Sequence, residues 1–459
     1  MNSMLRAKAG VAAVVASSSA LFLFETCRGK LLAKEAKDVN DVIDVGSVSK
    51  TQLLPSTDKL NLKKAVQLSS ALIERKREEL NAPGIVLGVS WKGHDVWVQG
   101  FGFSDLELGV KCNESTVMRI ASLSKCITML LVAKLVEERK INFDDSIYKY
   151  LKDEFPEKKW NGEKVDITIR QLASHLAGIR HYSNGSPKQG ANVADTEFKE
   201  FYIKDHFDTV FDALKIFKDD DLIAKPGTKL NYTTHGYTVL SAVIQKILPN
   251  EEKFETYLIK NICRKDLGMN STYLDEFEPI IYNRSKYYRK LQNGKLVNAP
   301  YVDNSLKWAG GGLLSSVPDL LKFANVLLYS YKPHSSGIPG YLRKSTVEAL
   351  WTPSDHSKIG IRGELSPWTK YGLGFGLIKN AVPKYASCVA PPFQEMIFHS
   401  GGAMGATSHL LIVPEHELAV VVICNLGNCP GLGDMVLNVA KNFADNISKV
   451  NHDDTIVTI

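Results

Sequence analysis

The chain has 459 residues, 44% of them hydrophobic and 23% charged, a balance that reads as a soluble globular protein with a large core, in one large domain or two ordinary ones. Its formal charge of +6 owes half to residues 1–30, where Arg6, Lys8, Arg28 and Lys30 face Glu25; the rest is near neutral and lacks a basic stripe with interleaved aromatics, which excludes a nucleic-acid partner. The seven cysteines (Cys27, Cys112, Cys126, Cys263, Cys388, Cys424 and Cys429) are odd in number and form no CxxC pair, so they imply reduced thiols rather than a zinc site or a disulfide framework.

Residues 1–30 read as a leader: two early basic residues, the apolar or small run Ala9 to Phe24, then Glu25 and a basic patch. The run is short for a membrane span, which takes roughly 20 residues. A mitochondrial presequence, a secretory signal and a short anchor all fit, and the serines and early basic residues tilt the reading to the mitochondrion. The sequon Asn231-Tyr-Thr would suit the secreted alternative. Residues 31–59 are expected to be a linker. From Leu62, the apolar positions Ala65, Val66, Leu72 and Ile73 keep helical spacing up to a stop at Asn81-Ala-Pro-Gly84. Ile85 to Trp91 and Asp95 to Phe103 read as a hairpin turning at Lys92-Gly93-His94. A long apolar helix follows Ser122, and a short one begins near Ile167.

Residues 183–222 are the least regular stretch and are expected to form a surface insertion. Its aromatics Phe198, Phe201, Tyr202, Phe207 and Phe211 suit either a partner contact or packing against the main domain, the second reading being the plainer. Tyr237 to Ile247 and Pro318 to Leu328 read as helices, and Gly372-Leu-Gly-Phe-Gly376 as a glycine-rich strand. Met396 to Ser400, Ser408 to Val413 and Leu418 to Asn425 read as antiparallel strands, and Asp434 to Ile447 as a closing helix before the tail 448–459. The expected fold is α/β (α+β): an antiparallel sheet with edge strands from both ends of the chain, flanked by helices, with a mostly helical lobe inserted.

Ser122 and Lys125 stand three residues apart, so on a helix they share a face and the amine can take the hydroxyl proton. The spacing alone is weak, because Ser47/Lys50, Ser56/Lys59 and Ser146/Lys149 repeat it, and a serine there can equally be a helix N-cap. Tyr232 and His399 likewise have bland readings, as a half-buried tyrosine and a satisfied strand histidine; His175 and His181 read as structural. No GxSxG elbow or HExxH helix occurs.

Taken in order, however, Ser122-x-x-Lys125, Tyr232-Thr-Thr234 and His399-Ser-Gly401-Gly402 resemble the three motifs of serine β-lactamases and penicillin-binding proteins, in the class C-like branch. Ser174 to Tyr182, Gly310 to Ser316 and Tyr371 to Gly376 are similar to that branch too. The resemblance covers roughly residues 60–447 and is greatest to the mitochondrial β-lactamase-like members of animals. It implies a β-lactamase/transpeptidase-like fold, an acyl-enzyme on Ser122, and proton transfers shared by Lys125 and Tyr232 in an undecided division. It further implies that Thr234 offers a hydroxyl to substrate, that His399 orients Tyr232 or meets a substrate carboxylate, and that the Ser122 and Gly402 amides, beside Gly401, form the oxyanion hole. No cofactor and no metal are expected.

Thr234 and His399 replace side chains usual in antibiotic-hydrolysing relatives, which points to a peptide or ester substrate rather than a β-lactam. The resemblance also brings a link to lipid metabolism, a place in the mitochondrial intermembrane space at the inner membrane, and an alternative: a homo-oligomeric, filament-forming scaffold with little turnover.

Overall fold

A computed structural model describes residues 56–182, 199–332, 340–354, 356, 369–379 and 392–447. The leader, the first part of the insertion and the C-terminal tail lie outside the described residues. Helix α1 (Ser56–Glu79) begins inside the stretch expected to be linker. It ends just before Asn81, whose φ of 44° is the left-handed conformation that stops a helix.

Strands β1 (Gly84–Trp91) and β2 (His94–Asp105) form the expected hairpin. Its turn residues Lys92 and Gly93 have φ of 48° and 81°, the left-handed pair whose twist matches that of the flanking strands. With β3 (Val110–Lys111), β4 (Lys370–Tyr371), β5 (Gly376–Lys379), β6 (Glu395–Ala403), β7 (Ala406–Val413) and β8 (Leu418–Cys424) they build one antiparallel sheet in the order β4-β5-β6-β7-β8-β1-β2-β3. The strands from the two ends of the chain meet inside the sheet, Ile85 opposite Cys424 and Trp91 opposite Leu418. The edges are the short β3 and β4, so the expectation about edges holds only for these brief outer strands. Gly372–Phe375 is a turn between β4 and β5 rather than strand: Gly374 has φ 84°, and a Cβ there would lie 2.6 Å from Met129 Cγ.

Period-two alternation divides β8 between two cores. Val420, Val422 and Cys424 pack with β1 residues Ile85 and Leu87 under α1 and the last helix α5 (Leu432–Ile447). Ala419, Val421 and Ile423 face the other core, with α2 (Leu123–Glu137), α3 (His235–Ile247) and α4 (Val317–Tyr331). Both faces are therefore covered, which is why Leu418 to Cys424 reads as an unbroken apolar run. Helix α2 is buried from Leu123 to Ala133, apolar on nearly every side, and lies between the sheet and the helical lobe.

Of the insertion, residues 199–222 are tied to this body. The Phe207 N–H donates to Ser305 Oγ at 2.8 Å, the Asp303 N–H to the Ile203 carbonyl at 2.8 Å, and Arg180 pairs with Glu200 at 2.8 Å. Phe201, Tyr202, Phe207 and Phe211 are half-buried, which fits packing on the domain, the plainer of the two readings; Phe198 lies outside the described residues.

Candidate active site

Ser122 is presented by a tight, heavily anchored turn. Ahead of it, Arg119 is buried, donates to Asp275 at 2.6 Å and to the Met404 carbonyl at 2.7 Å, and lies over the Tyr287 ring. Arg119 also pairs with Leu314 in a small three-stranded sheet. Ala121 then takes φ 49°, a left-handed conformation that disfavours any side chain with a Cβ and here costs on the order of 1 kcal/mol or more. Ser408 Oγ donates to the Ile120 carbonyl at 2.7 Å and holds the turn against the sheet.

Ser122 occupies the N-cap position of α2, yet its hydroxyl makes no capping hydrogen bond. The hydroxyl instead meets Lys125 Nζ at 3.1 Å and shares a hydrogen bond with Tyr232. Ser146 behaves in the opposite way: its hydroxyl caps a short turn at the Tyr148 N–H, while Lys149 pairs with Asp145. Fold context thus separates two identical Ser-x-x-Lys spacings.

Lys125 is fully buried, donates to the Gly310 carbonyl at 2.5 Å, and lies 4.9 Å from the Tyr232 ring centre and 5.4 Å from that of Tyr237. Burial pulls its pKa from 10.5 down to about 7, and the charge on Lys307 pushes the same way. Burial holds the Tyr232 phenol well above its usual value, so it stays protonated at neutral pH. The neighbouring Cys126 is buried, donates to the Gly374 carbonyl at 3.2 Å, and its thiol pKa is raised by burial. It is a packed, inert side chain.

The third motif arrives on β6. Gly401 passes so close to the nucleophile turn that a Cβ would lie 2.2 Å from Ser408 Oγ, 2.6 Å from the Ile120 carbonyl and 3.0 Å from the Ala121 Cβ. Gly402 is the next residue and is exposed, and among the described residues no backbone carbonyl accepts the Ser122 N–H.

His399 departs from its expected part. Its Nδ1 bonds the Ser400 carbonyl at 2.7 Å, and a carbonyl only accepts, so Nδ1 carries the proton and Nε2 accepts from the Tyr371 hydroxyl at 2.9 Å. Burial, with the charge of Lys125 adding to it, lowers the pKa of His399 to about 3. A neutral ring with both nitrogens engaged cannot clamp a carboxylate, and its centre stands 6.3 Å from the Tyr232 ring.

The chain of bonds continues beyond Tyr371. The Thr233 N–H donates to His175 Nδ1 at 3.2 Å, so His175 Nε2–H donates to the Tyr371 hydroxyl at 3.2 Å. Backbone groups at both ends therefore set every proton from Thr233 to Ser400. His175 itself adopts φ 61°.

Thr234 also differs from expectation. It is buried, its N–H donates to His181 Nδ1 at 3.2 Å, and its hydroxyl is bonded to Tyr182. It thus braces the cleft wall before any substrate arrives.

Residues 70–433 match the Beta-lactamase family. The chain belongs to the β-lactamase family. Relatives of this β-lactamase-family chain include the Mus musculus "Serine beta-lactamase-like protein LACTB, mitochondrial", 36% identical over 455 residues that cover 83% of this chain and 80% of the relative. The Homo sapiens protein of the same description is 35% identical over 449 residues, with 83% and 80% covered. Among solved structures, "EstCE1, a hydrolase with promiscuous acyltransferase activity" superposes with a TM-score of 0.66 at 19% identity, covering 84% of this chain and 99% of its own. The octameric penicillin-binding protein homologue from Pyrococcus abyssi gives 0.64 at 24% identity, covering 82% and 77%. These neighbours show the fold: β-lactamase/transpeptidase-like, an antiparallel sheet flanked by helices.

Within this β-lactamase-family cleft the structure brings Ser122, Lys125 and Tyr232 into direct contact, with Gly401 packed behind the nucleophile. His399 belongs to a second layer. Sequence reasoning missed His175, Tyr371, the Gly310 carbonyl and Lys307. Tyr371 and Gly310 lay in stretches noted for their resemblance to the branch, which was a usable signal; Lys307 and the tautomer-setting role of His175 carried none.

Proposed function

We propose that the chain is a serine hydrolase that works through an acyl-enzyme on Ser122. The observation that carries this reading is the 3.1 Å contact between Ser122 Oγ and a fully buried Lys125 whose pKa is about 7. A neutral amine at that distance takes the hydroxyl proton as Oγ attacks an acyl carbon. The carbonyl oxygen becomes an oxyanion, for which the Ser122 and Gly402 amides are the proposed donors, each contributing about 3–4 kcal/mol in comparable sites. When the tetrahedral adduct collapses, the bond to the leaving group breaks. Tyr232, a phenol at neutral pH, donates to the leaving atom and recovers a proton from Lys125. Water then repeats the cycle on the acyl-enzyme, releasing an acid and restoring Ser122.

Amide and ester substrates both suit this chemistry, so the activity is that of a peptidase or esterase. The relatives' descriptions support a mitochondrial setting, with the intermembrane space and lipid metabolism as the finer proposal. A fluorophosphonate probe is expected to label Ser122, and Ser122→Ala should abolish labelling while the melting curve is retained. Labelling that persists in a folded Ser122→Ala protein refutes the reading.

A second reading, a filament-forming scaffold at the inner membrane, draws on Phe277, Ile280 and Tyr282, which are 77%, 88% and 83% exposed. Apolar side chains this open, and this close in sequence, suit a contact between copies. Replacing all three with serine should lower the mass distribution seen by light scattering; an unchanged distribution removes this loop as the assembly contact.

A further inference from the structure

His399 leaves the cleft without the cation that a substrate carboxylate would need, but a different cation stands nearby. Lys307 is 5% exposed, and among the described residues its ammonium has no hydrogen-bond or ion-pair partner. Burial lowers its pKa to about 8 and the charge of Arg119 pushes the same way; two carboxylates, Asp275 and Asp303, oppose this from a distance, yet each is committed elsewhere. Asp275 is held by Arg119, Arg284 and Asn304, and Asp303 by His206, Tyr301 and the Ser305 N–H. What Lys307 has instead is two aromatic rings, with Nζ 5.6 Å from the centre of Tyr182 and 5.2 Å from that of Phe201. Rings stabilise a cation only in part, leaving its N–H donors open.

The cage is firmly built. Tyr182 is bonded to Thr234 and stacked on His181 at 4.1 Å, and Phe201 follows Glu200, which Arg180 and His235 clamp at 2.8 and 2.9 Å. It is also close to the nucleophile. A Cβ on Gly311 would touch both the Ala121 backbone and the Lys307 stem, at 3.8 and 4.0 Å, and the charge of Lys307 is felt at Lys125 and at His181. Since His181 Nδ1 accepts from the Thr234 N–H, its Nε2 carries a proton, and among the described residues that proton has no acceptor. A buried, unpaired ammonium and an unpaired N–H, both set against the Tyr182 ring, match the donor pattern that a carboxylate fills.

We propose that Lys307, together with His181, is an anion subsite that holds a substrate carboxylate next to Ser122, so that the preferred substrate is an acyl compound with a carboxylate close to its scissile bond. This rests on the reading of Ser122 as nucleophile. The Arg180–Glu200 ion pair, which draws residues of the insertion over the cleft, then acts in specificity by keeping Phe201 on the cage.

Two matched ester pairs test it, one with the charge on the acyl side and one with it on the leaving side. The first compares the p-nitrophenyl monoester of glutaric acid with its methyl-capped diester; the second compares 4-carboxyphenyl butyrate with 4-methoxycarbonylphenyl butyrate. At least one pair should favour the anion by about tenfold or more in kcat/KM, and in Lys307→Gln that ratio should fall towards one. The ratio is taken within each protein, so a general loss of activity does not mimic the result. No preference in either pair, or a preference that survives Lys307→Gln, overturns the subsite. Calorimetric titration of Ser122→Ala protein with the non-hydrolysed esters separates the two readings. Binding of the anionic ester alone, lost in Ser122→Ala/Lys307→Gln, upholds the subsite even if the parent turns nothing over. Equal binding of anionic and capped esters refutes it even if Ser122 is an active nucleophile.

Discussion

Replacing Lys125 with methionine is expected to slow acylation of Ser122 by about a thousandfold, within the usual range for loss of a positioned base. Methionine suits the position because the side chain is fully buried and its neighbours include the rings of Tyr232 and Tyr237. Two effects on stability oppose each other. Removing a buried ammonium is favourable, whereas the Gly310 carbonyl loses its donor at a cost of about 1–3 kcal/mol. The protein should therefore remain folded, and the lost rate can be read as chemistry. Stopped-flow labelling with a fluorophosphonate checks this; a Lys125→Met rate within tenfold of the parent would assign the base elsewhere.

The pH profile of the parent follows from the same group. A lysine that kept its ordinary pKa of 10.5 would be charged and useless as a base throughout the physiological range. Because the folded pKa is lowered to about 7, the neutral amine accumulates above pH 7, and the acylation rate should rise tenfold per pH unit below that point and level off above it. His399, with a pKa of about 3, stays neutral over this range, so no second inflection near the ordinary histidine value is expected.

How much of this was legible in the sequence depends on the range of the interaction. Helix α2 was readable because its burial is nearly complete, and an apolar run of that length admits few alternatives. The hairpin at Lys92-Gly93 was readable because its turn chemistry is local. The pairing of β1 with β8 was not, since alternation along a strand shows which residues share a face but not which strand lies alongside.

The site divides in the same way. Ser122 and Lys125 are three positions apart, and one helix turn brings them together. The polar chain from Thr233 to Ser400 runs through contacts 196 and 28 positions apart, and its proton order depends on two backbone carbonyl and amide partners that no side-chain pattern encodes. His399 was misassigned for this reason: its charge state is decided by burial and by the Ser400 carbonyl, neither of which its identity reveals. Lys307 was passed over because an unpaired buried lysine differs from a solvated one only in its surroundings.

The other large effect is expected at Gly401, where no chemistry is removed at all. Gly401→Ala would place a methyl group 2.2 Å from Ser408 Oγ and 2.6 Å from the Ile120 carbonyl. The first contact is with a hydroxyl that can rotate, at the loss of its bond to Ile120. The second is with backbone, which must move. Ile120 and Ala121 lead directly into Ser122, and Ala121 already holds a left-handed φ of 49°, so the turn has little slack. A displacement approaching 1 Å at a reacting atom commonly costs about a hundredfold in rate, and a loss of that size is expected in labelling of Ser122. Stability should fall as well, by about 1–3 kcal/mol for overpacking of a tight contact. Adding Ser408→Gly distinguishes the two clashes. It relieves only the hydroxyl contact, so the double variant should stay close to the single one in rate. Full recovery would mean that the hydroxyl, rather than the backbone approach of β6 to the nucleophile turn, is what demands glycine at Gly401.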